Sequence, residues 1–334
     1  MIRVAINGFG RIGRIAFREI ITSTEFDIVA INTPSDVETV AHLMKYDSVH
    51  RTFHPDAIAV EGTDVVIKGK KRIKTSQFRD PEEAPWKELN IDLVLECSGH
   101  FTTKEELSKH LKAGAKKVLL SAPAKDEVKT IVYGVNDDII ANEDNIISAS
   151  SCTTNCLVPV LKIMNDNFGI KKGFMTTVHA YTTDQNILDN SHKKGINARR
   201  GRAGAENIVP TSSGATSSVG LILPELKGKI GGMSLRVPTP NGSVVDLTLE
   251  LKKVVTKDEI NNVFKNNSNE VVKYTEDPLV SSDIIGYEEG AIFDSLSTEV
   301  LETEDGQLVK LLIWYDNEVG YTNQMLRVAK KMFE

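Results

Sequence analysis

Cysteine is scarce: Cys97, Cys152 and Cys156 are three among 334 residues, too few and too odd in number to frame a disulfide-stabilised fold. The seven histidines are scattered, and neither a His-x3-His nor a paired Cys-x-x-Cys suggests a metal site. No apolar run approaches the roughly 18 residues of a membrane span. Nor does the chain open with the basic, apolar and small-residue segments of a signal peptide, so the sequence predicts a soluble, cytoplasmic protein. Neither charge sign dominates. Lys and Arg number 40 against 46 Asp and Glu, a net charge of −6, which gives no whole-surface attraction for nucleic acid or acidic lipid. Internal repeats and low-complexity tracts are absent.

What is present is ordinary globular composition, 40% apolar and 26% charged. At about 150 residues per domain the length suggests two domains, with enough chain to form cores without disulfide or metal staples. In the first half, short apolar runs at Arg3–Asn7, Ile28–Asn32, Leu93–Cys97, Lys117–Leu120, Thr130–Tyr133 and Ile146–Ala149 alternate with helical patterns at Ile12–Ser23, Val37–Lys45 and Lys104–Ala113. That alternation predicts a mostly parallel sheet covered by helices. Ile58–Glu61, Asp64–Lys68 and Arg72–Lys74 look like an antiparallel insertion.

From about Cys152 the texture changes. A helix over Thr153–Phe168 precedes a strand at Phe174–His179, then a long polar stretch, Tyr181–Asn207. Loops longer than about 12–15 residues are uncommon and usually functional. Later strands are predicted at Gly232–Val237, Gly242–Lys252, Ile292–Leu296, Thr298–Leu301 and Leu308–Tyr315, with a closing helix over Asn317–Phe333. This half reads as an α+β domain with a mixed, largely antiparallel sheet.

Gly8-Phe-Gly10-Arg-Ile-Gly13 follows the first strand and opens the first helix. A Rossmann-type dinucleotide site requires a tight turn at Gly8, close approach of a pyrophosphate at Gly10 and close helix–strand packing at Gly13. The N–H groups at the helix start favour the diphosphate. NAD sites usually end the second strand in Asp or Glu. Here the segment is Ala30-Ile-Asn-Thr33-Pro-Ser35. Without that carboxylate nothing repels a 2′-phosphate, so NADP is expected beside NAD.

Ser148-Ala-Ser-Ser151-Cys152-Thr153-Thr-Asn-Cys156 crosses from a strand end into a helix. A cysteine there has its thiolate favoured by unpaired N–H groups and the helix dipole. Cys156, one turn on, reads as a buried apolar residue rather than a resolving thiol, and Cys97 as packing. His179, alone at a strand end, reads equally well as a structural group.

The motifs Asn7-Gly-Phe-Gly-Arg-Ile-Gly-Arg14, Lys45-Tyr-Asp-Ser-Val49, Ser151-Cys-Thr-Thr-Asn-Cys156, His179-Ala-Tyr-Thr182, Arg236-Val-Pro-Thr-Pro240 and Trp314-Tyr-Asp-Asn-Glu-Val-Gly-Tyr321 occur in this order. Together they closely resemble the phosphorylating glyceraldehyde-3-phosphate dehydrogenase family, essentially over the full length. The resemblance implies Cys152 as nucleophile and His179 as its base and later acid, with an imidazolium lowering the thiol pKa. It implies glyceraldehyde 3-phosphate and inorganic phosphate as partners, held by Ser151, Thr153, Thr182, Arg200, Ser213, Gly214 and Arg236. The cofactor, NADP or NAD with no metal, would meet Asn7, Gly8, Gly10, Arg11, Ile12, Gly13, Thr33, Arg79, Ser98, Gly99, Ser121, Ser191, Asn317 and Tyr321. It further implies a homotetramer with the 181–207 loop near a neighbouring cofactor. A cofactor domain of 1–151 plus 317–334 would flank a catalytic domain of 152–316.

Common NAD-specific members carry an acidic residue where Thr33 stands and Leu-Pro where Asn190-Ser191 stands. Both departures run toward NADP, and Arg79 would supply positive charge near the adenosine. The 193–198 segment is longer than usual, and Val319 replaces a common Trp. Erythrose 4-phosphate, which also carries a terminal phosphate, is the alternative aldehyde. A surface-binding role is the alternative outside enzymology.

Overall fold

The computed structural model describes residues 1–69 and 71–334. The chain divides into two compact units. The first comprises Met1–Ile131, Asn136–Ser151 and Met325–Glu334, the second Val132–Val135 and Cys152–Gln324.

In the first unit, β1 (Ile2–Asn7) runs through the glycine-rich turn into α1 (Arg11–Ile20), and β2 (Phe26–Asn32) leads to α2 (Val37–Lys45). Asp36 caps α2, its carboxylate accepting the Thr39 N–H at 2.7 Å. The insertion is antiparallel: β3 (Ile58–Glu61), β4 (Asp64–Ile67) and β5 (Lys71–Ser76) pair in succession, and β5 then joins β2 in parallel. β6 (Leu93–Glu96), α3 (Lys104–Lys112), β7 (Lys117–Leu120), β8 (Lys129–Thr130) and β9 (Ile146–Ser148) follow. The order β3-β4-β5-β2-β1-β6-β7-β9-β8 makes a nine-stranded, Rossmann-type sheet. Its order reverses between β1 and β6, where Asn7 faces Glu96 in register, and such crevices at strand carboxyl ends take ligands. The strand expected at Thr130–Tyr133 stops at Thr130, because Val132 and Tyr133 pack into the other unit's core.

In the second unit, α4 (Cys152–Phe168) precedes β10 (Ile170–Ala180), β11 (Val209–Thr211), α5 (Ala215–Ile222), β12 (Ile230–Val237) and β13 (Ser243–Leu251). Then come α6 (Lys257–Asn266), β14 (Val272–Thr275), β15 (Ala291–Thr303), β16 (Gly306–Tyr315) and α7 (Val319–Lys331). The seven-stranded sheet, ordered β11-β12-β10-β13-β16-β15-β14, is mixed and largely antiparallel. Alternating Val245, Leu247 and Leu249 on β13 and Val309, Leu311 and Ile313 on β16 bury one face against Leu157, Leu161 and Met164 of α4. The two strands predicted at Ile292–Leu296 and Thr298–Leu301 are one strand with a bulge between Asp294 and Glu299. α7 begins at Val319 rather than Asn317, since Asp316 Oδ1 accepts the N–H groups of Glu318 and Val319 at 2.8 Å each and starts the helix there. Asp316 also takes Asn241 Nδ2 at 2.9 Å and the Gly286 N–H at 2.8 Å. These bonds hold the beginning of α7 in the second unit, and the division falls at Met325 within the helix.

Candidate active site

Cys152 is the first residue of α4, so its sulfur stands at the positive end of the helix dipole. His179, 4% exposed, lies one residue before the end of β10. Sγ of Cys152 is 3.3 Å from Nε2 of His179. The other ring nitrogen, Nδ1, is 2.7 Å from the Ala180 carbonyl oxygen. The carbonyl only accepts and favours a proton on Nδ1, whereas Arg236 Nη1, 2.9 Å from the same nitrogen, only donates; with the proton on Nδ1, Nε2 presents its lone pair to the thiol. A general base needs that tautomer.

Parallel pairing of β10 with β12 sets Arg236 opposite His179. Arg236 Nη1 donates to the Ala180 carbonyl at 3.1 Å and to Thr182 Oγ1 at 3.2 Å, and lies 2.9 Å from His179 Nδ1. Burial first, then this guanidinium, lowers the His179 pKa to about 3. Burial pushes the Cys152 thiol up, while Arg236 draws it down. Both shifts favour the uncharged forms, against the imidazolium that the resemblance implies. A lone ion of either sign is costly in this place. Moving the proton across the gap creates both ions together, as neighbours.

Tyr315 at the end of β16 completes the group. Its buried hydroxyl lies 2.7 Å from Thr177 Oγ1 and 3.0 Å from Thr153 Oγ1, which braces the first turn of α4 against β10. Its ring meets His179 edge-on, with centroids 5.9 Å apart. Beyond Arg236, Asp184 accepts from the Thr182 hydroxyl and the Arg200 guanidinium. Against burial, those two partners hold its carboxyl below the usual range. Arg200 Nε also reaches Thr211 Oγ1 at 3.4 Å. Thr182 thus links Arg236 to Asp184 and Arg200, and two guanidiniums gather around one carboxylate next to His179, a surplus of positive charge suited to an anion. Asn317 stands where Ser243 Oγ, 2.8 Å from its Oδ1, ties it to β13.

Ser213 and Gly214 lie immediately before α5, where Ser213 Oγ accepts the Ala215 N–H at 3.3 Å. Ser191 is exposed, its N–H on Asn190 Oδ1 at 2.7 Å. Neither Ser191 nor Ser213 hydrogen-bonds Cys152 or His179 among the described residues. Tyr321 is buried in α7. Cys156 is buried, and that burial raises its thiol well above the ordinary range.

The first unit carries the glycine-rich turn, and its glycines are not equivalent. Gly8 has φ +95°, and a Cβ there would lie 2.5 Å from the Ser98 backbone. A Cβ on Gly13 would lie 2.2 Å from the Gly8 carbonyl oxygen, whereas one on Gly10 would meet nothing within 4 Å. Two glycines are demanded by the chain itself. The third opens a cradle before the N–H groups of Arg11, Ile12 and Gly13, which fits a pyrophosphate. Gly99, with φ +70°, also borders open space, and Ser121 Oγ donates to the Glu96 carbonyl at 2.9 Å. Arg11 is turned to Asp47, which accepts from both its terminal nitrogens. Thr33, buried at the end of β2, donates its N–H to the Ser76 carbonyl at 2.9 Å. Arg79 is exposed.

Tyr315, Asp184, Thr211 and Ser243 are members of this site to which sequence reasoning assigned no role. Tyr315 lies inside the Trp314–Tyr321 motif. Asp184 follows Thr182 by two residues but signals nothing until Arg200 is seen beside it.

Comparison with known proteins agrees. The model of the glyceraldehyde 3-phosphate dehydrogenase C-terminal domain matches residues 151–317, and that of its NAD binding domain matches residues 2–104. Glyceraldehyde-3-phosphate dehydrogenase of Clostridium pasteurianum is 50% identical over 330 residues, covering 99% of this chain and 98% of that protein. The enzyme of that name from Clostridium acetobutylicum is 48% identical over 327 residues, covering 98% of this chain and 97% of its own. The Geobacillus stearothermophilus protein of the same name is 49% identical over 333 residues, covering 98% of this chain and 97% of that one.

Proposed function

Because the chain belongs to the glyceraldehyde 3-phosphate dehydrogenase family, we propose that it oxidises D-glyceraldehyde 3-phosphate with inorganic phosphate to 1,3-bisphosphoglycerate through a thioester on Cys152. The observation that carries this reading is the Cys152–His179 pair, with Sγ 3.3 Å from Nε2. When Sγ adds to the aldehyde carbon, the thiol proton passes to Nε2 and from there to the new oxyanion, which leaves a hemithioacetal hydroxyl and a neutral imidazole. The resulting hemithioacetal can lose hydride where the aldehyde cannot, and His179 takes its hydroxyl proton in that step. A bound nicotinamide cofactor supplies the hydride acceptor. Phosphate then attacks the thioester carbon and releases Sγ.

Thr182 and Arg236 hold the substrate phosphate in this reading, and Arg200 reaches toward the second anion with Ser151, Thr153, Ser213 and Gly214. A dianion on Arg236 offsets the charge that disfavours an imidazolium at His179. Substrate binding therefore raises the basicity of the group that must act next. Asn317 holds the nicotinamide carboxamide, with Tyr321 behind the ring.

NADP is accepted as well as NAD. What supports this is a neutral Thr33 at the end of β2 and an exposed Arg79 three residues beyond Ser76, which bonds Thr33. Ser191 adds a hydroxyl from a neighbouring subunit of a homotetramer. The cytoplasm is the compartment this reading expects, because a phosphorylated triose made there is charged and does not leave across a bilayer unaided. Steady-state kinetics with both cofactors, the triose phosphate and inorganic phosphate test the whole proposal. The expected outcome is turnover with either cofactor, abolished by Cys152→Ser. Thr33→Asp should raise the NADP KM far more than the NAD KM, through like-charge repulsion. A preference for NAD by about a hundredfold, some 2.7 kcal/mol, in the unmodified enzyme would remove the NADP part. Phosphate-independent turnover would remove the phosphorylating reaction.

A further inference from the structure

Glu96 ends β6 as a carboxylate with 0% exposure, and the chemistry above makes no use of it. Four donors meet it. Oε2 accepts from Asn7 Nδ2 at 2.6 Å and lies 3.0 Å from His110 Nε2. Oε1 accepts the Ser98 N–H at 2.8 Å and the Ser98 hydroxyl. Trp86 Nε1–H, which can only donate, lies 3.0 Å from His110 Nδ1. His110 must accept there and donate from Nε2 to Glu96.

The polarity of this network is fixed at both ends by backbone, which cannot rotate to suit. At one end stands the Ser98 N–H. At the other, the Phe78 N–H donates to Asn32 Oδ1 at 2.9 Å, while Asn32 Nδ2 donates to the Phe78 carbonyl and to Asn7 Oδ1, each at 2.8 Å. Asn7 must then present Nδ2 to Glu96. The bonds from Asn7, His110 and the Ser98 N–H all run toward the carboxyl group, which takes the rotatable Ser98 hydroxyl as its fourth partner.

We propose that Glu96 is a positioning residue of the dinucleotide site, its carboxylate fixing the Gly8 turn against the Ser98–Gly99 turn. Asn7 and Ser98 flank that place. Gly8 follows Asn7, and the position a Gly8 Cβ would take lies 2.5 Å from Ser98 Cα and N. Both turns lie at the point where the strand order reverses. Through Asn7 and Asn32 the same network aligns Phe78 and the end of β2. One buried carboxyl group thus holds in register the segments carrying Gly10, Thr33, Arg79 and Gly99.

Glu96→Gln keeps the shape and turns one acceptor into a donor. Asn7 cannot flip to compensate without opposing Asn32, whose orientation the Phe78 backbone fixes. The inference rests on the dinucleotide reading, so binding is measured by calorimetry with ADP-ribose, independently of turnover. Glu96→Gln is expected to weaken ADP-ribose about tenfold or more, while iodoacetamide alkylates Cys152 at its unmodified rate. Trp86→Phe removes only the outer donor to His110. It is expected to lower the melting temperature and leave ADP-ribose affinity within about twofold, which separates positioning from stability. Should the Gln variant not fold, Glu96→Asp keeps the charge on a shorter arm and is expected to lose about threefold or more. Binding within about twofold of the unmodified chain by the folded Glu96 variant would overturn the proposal, as would equal losses in the Trp86 and Glu96 variants. Failure of the unmodified chain to bind ADP-ribose would instead defeat the dinucleotide reading itself.

Discussion

The proton between Cys152 and His179 belongs to both groups. Burial raises the thiol and lowers the imidazole, so neither ionises readily alone, and their titration is that of a pair. His179→Asn leaves the thiol to ionise without a base. With its pKa raised, the thiolate fraction at neutral pH falls, and it recovers only as pH climbs into the alkaline range. Iodoacetamide labelling of Cys152 should be at least about tenfold slower at pH 7 in the variant, rising steadily toward pH 10. Turnover should fall by roughly 10²–10⁴, as expected for a lost acid–base group. Equal labelling rates in the two proteins at pH 7 would remove His179 from thiol activation. The helix start and the hydroxyl-rich motif made Cys152 legible in sequence. His179 gained its role from a resemblance, because nothing along the chain says which strand end will face α4.

Elements place these residues through register and through caps. Arg236 meets His179 because β12 runs parallel beside β10, a pairing across 57 residues of chain. The glycine-rich turn offers a sharper test at this scale. Gly13→Ala forces a methyl against the Gly8 carbonyl, which lies 2.2 Å from the new Cβ. It should cost roughly 1–3 kcal/mol of stability in thermal or denaturant unfolding. Gly10→Ala meets nothing in the chain, and its φ of −77° suits alanine. It should melt at or slightly above the unmodified temperature and yet bind the dinucleotide at least about tenfold more weakly, since its methyl fills the pyrophosphate cradle. Equal affinity for Gly10→Ala would move the diphosphate elsewhere. α6 went unread in the sequence although Thr256 and Glu259 form a capping box before it. Small residues hid α5, whose Ala215-Thr-Ser-Ser-Val-Gly segment carries little apolar periodicity.

At the scale of the whole molecule, the second unit leaves apolar side chains in water. Ile187 and Leu188 are 86% and 76% exposed on the 181–207 loop, and Phe174 is 72% exposed on β10 beside Met233 of the adjacent β12. Exposed apolar side chains of this size suit an interaction face, and the proposed homotetramer would cover them. Sedimentation equilibrium should find four copies for the unmodified protein. The double substitution Ile187→Asp and Leu188→Asp should shift it to smaller species and weaken cofactor binding, with far-ultraviolet dichroism unchanged. An unmodified monomer with full activity would defeat the assembly.

Gly8, Gly10 and Gly13, the Ser151–Cys156 segment and the alternation of strands with helices are local facts. Chain stiffness, turn geometry and helix-end electrostatics follow from neighbours in sequence, so the sequence by itself determined the two-part architecture, the glycine-rich turn after β1 and the candidate cysteine at the start of α4. Tertiary structure decided what depends on distant partners in a low dielectric. Only folding brings His179 and Arg236 together, and only burial there raises the thiol and lowers the imidazole. Only the meeting of β1 with β6 turns Glu96, an unremarkable strand-end carboxylate in sequence, into the acceptor for four donors, because hydrogen-bond polarity is set by which groups face each other once water has been excluded.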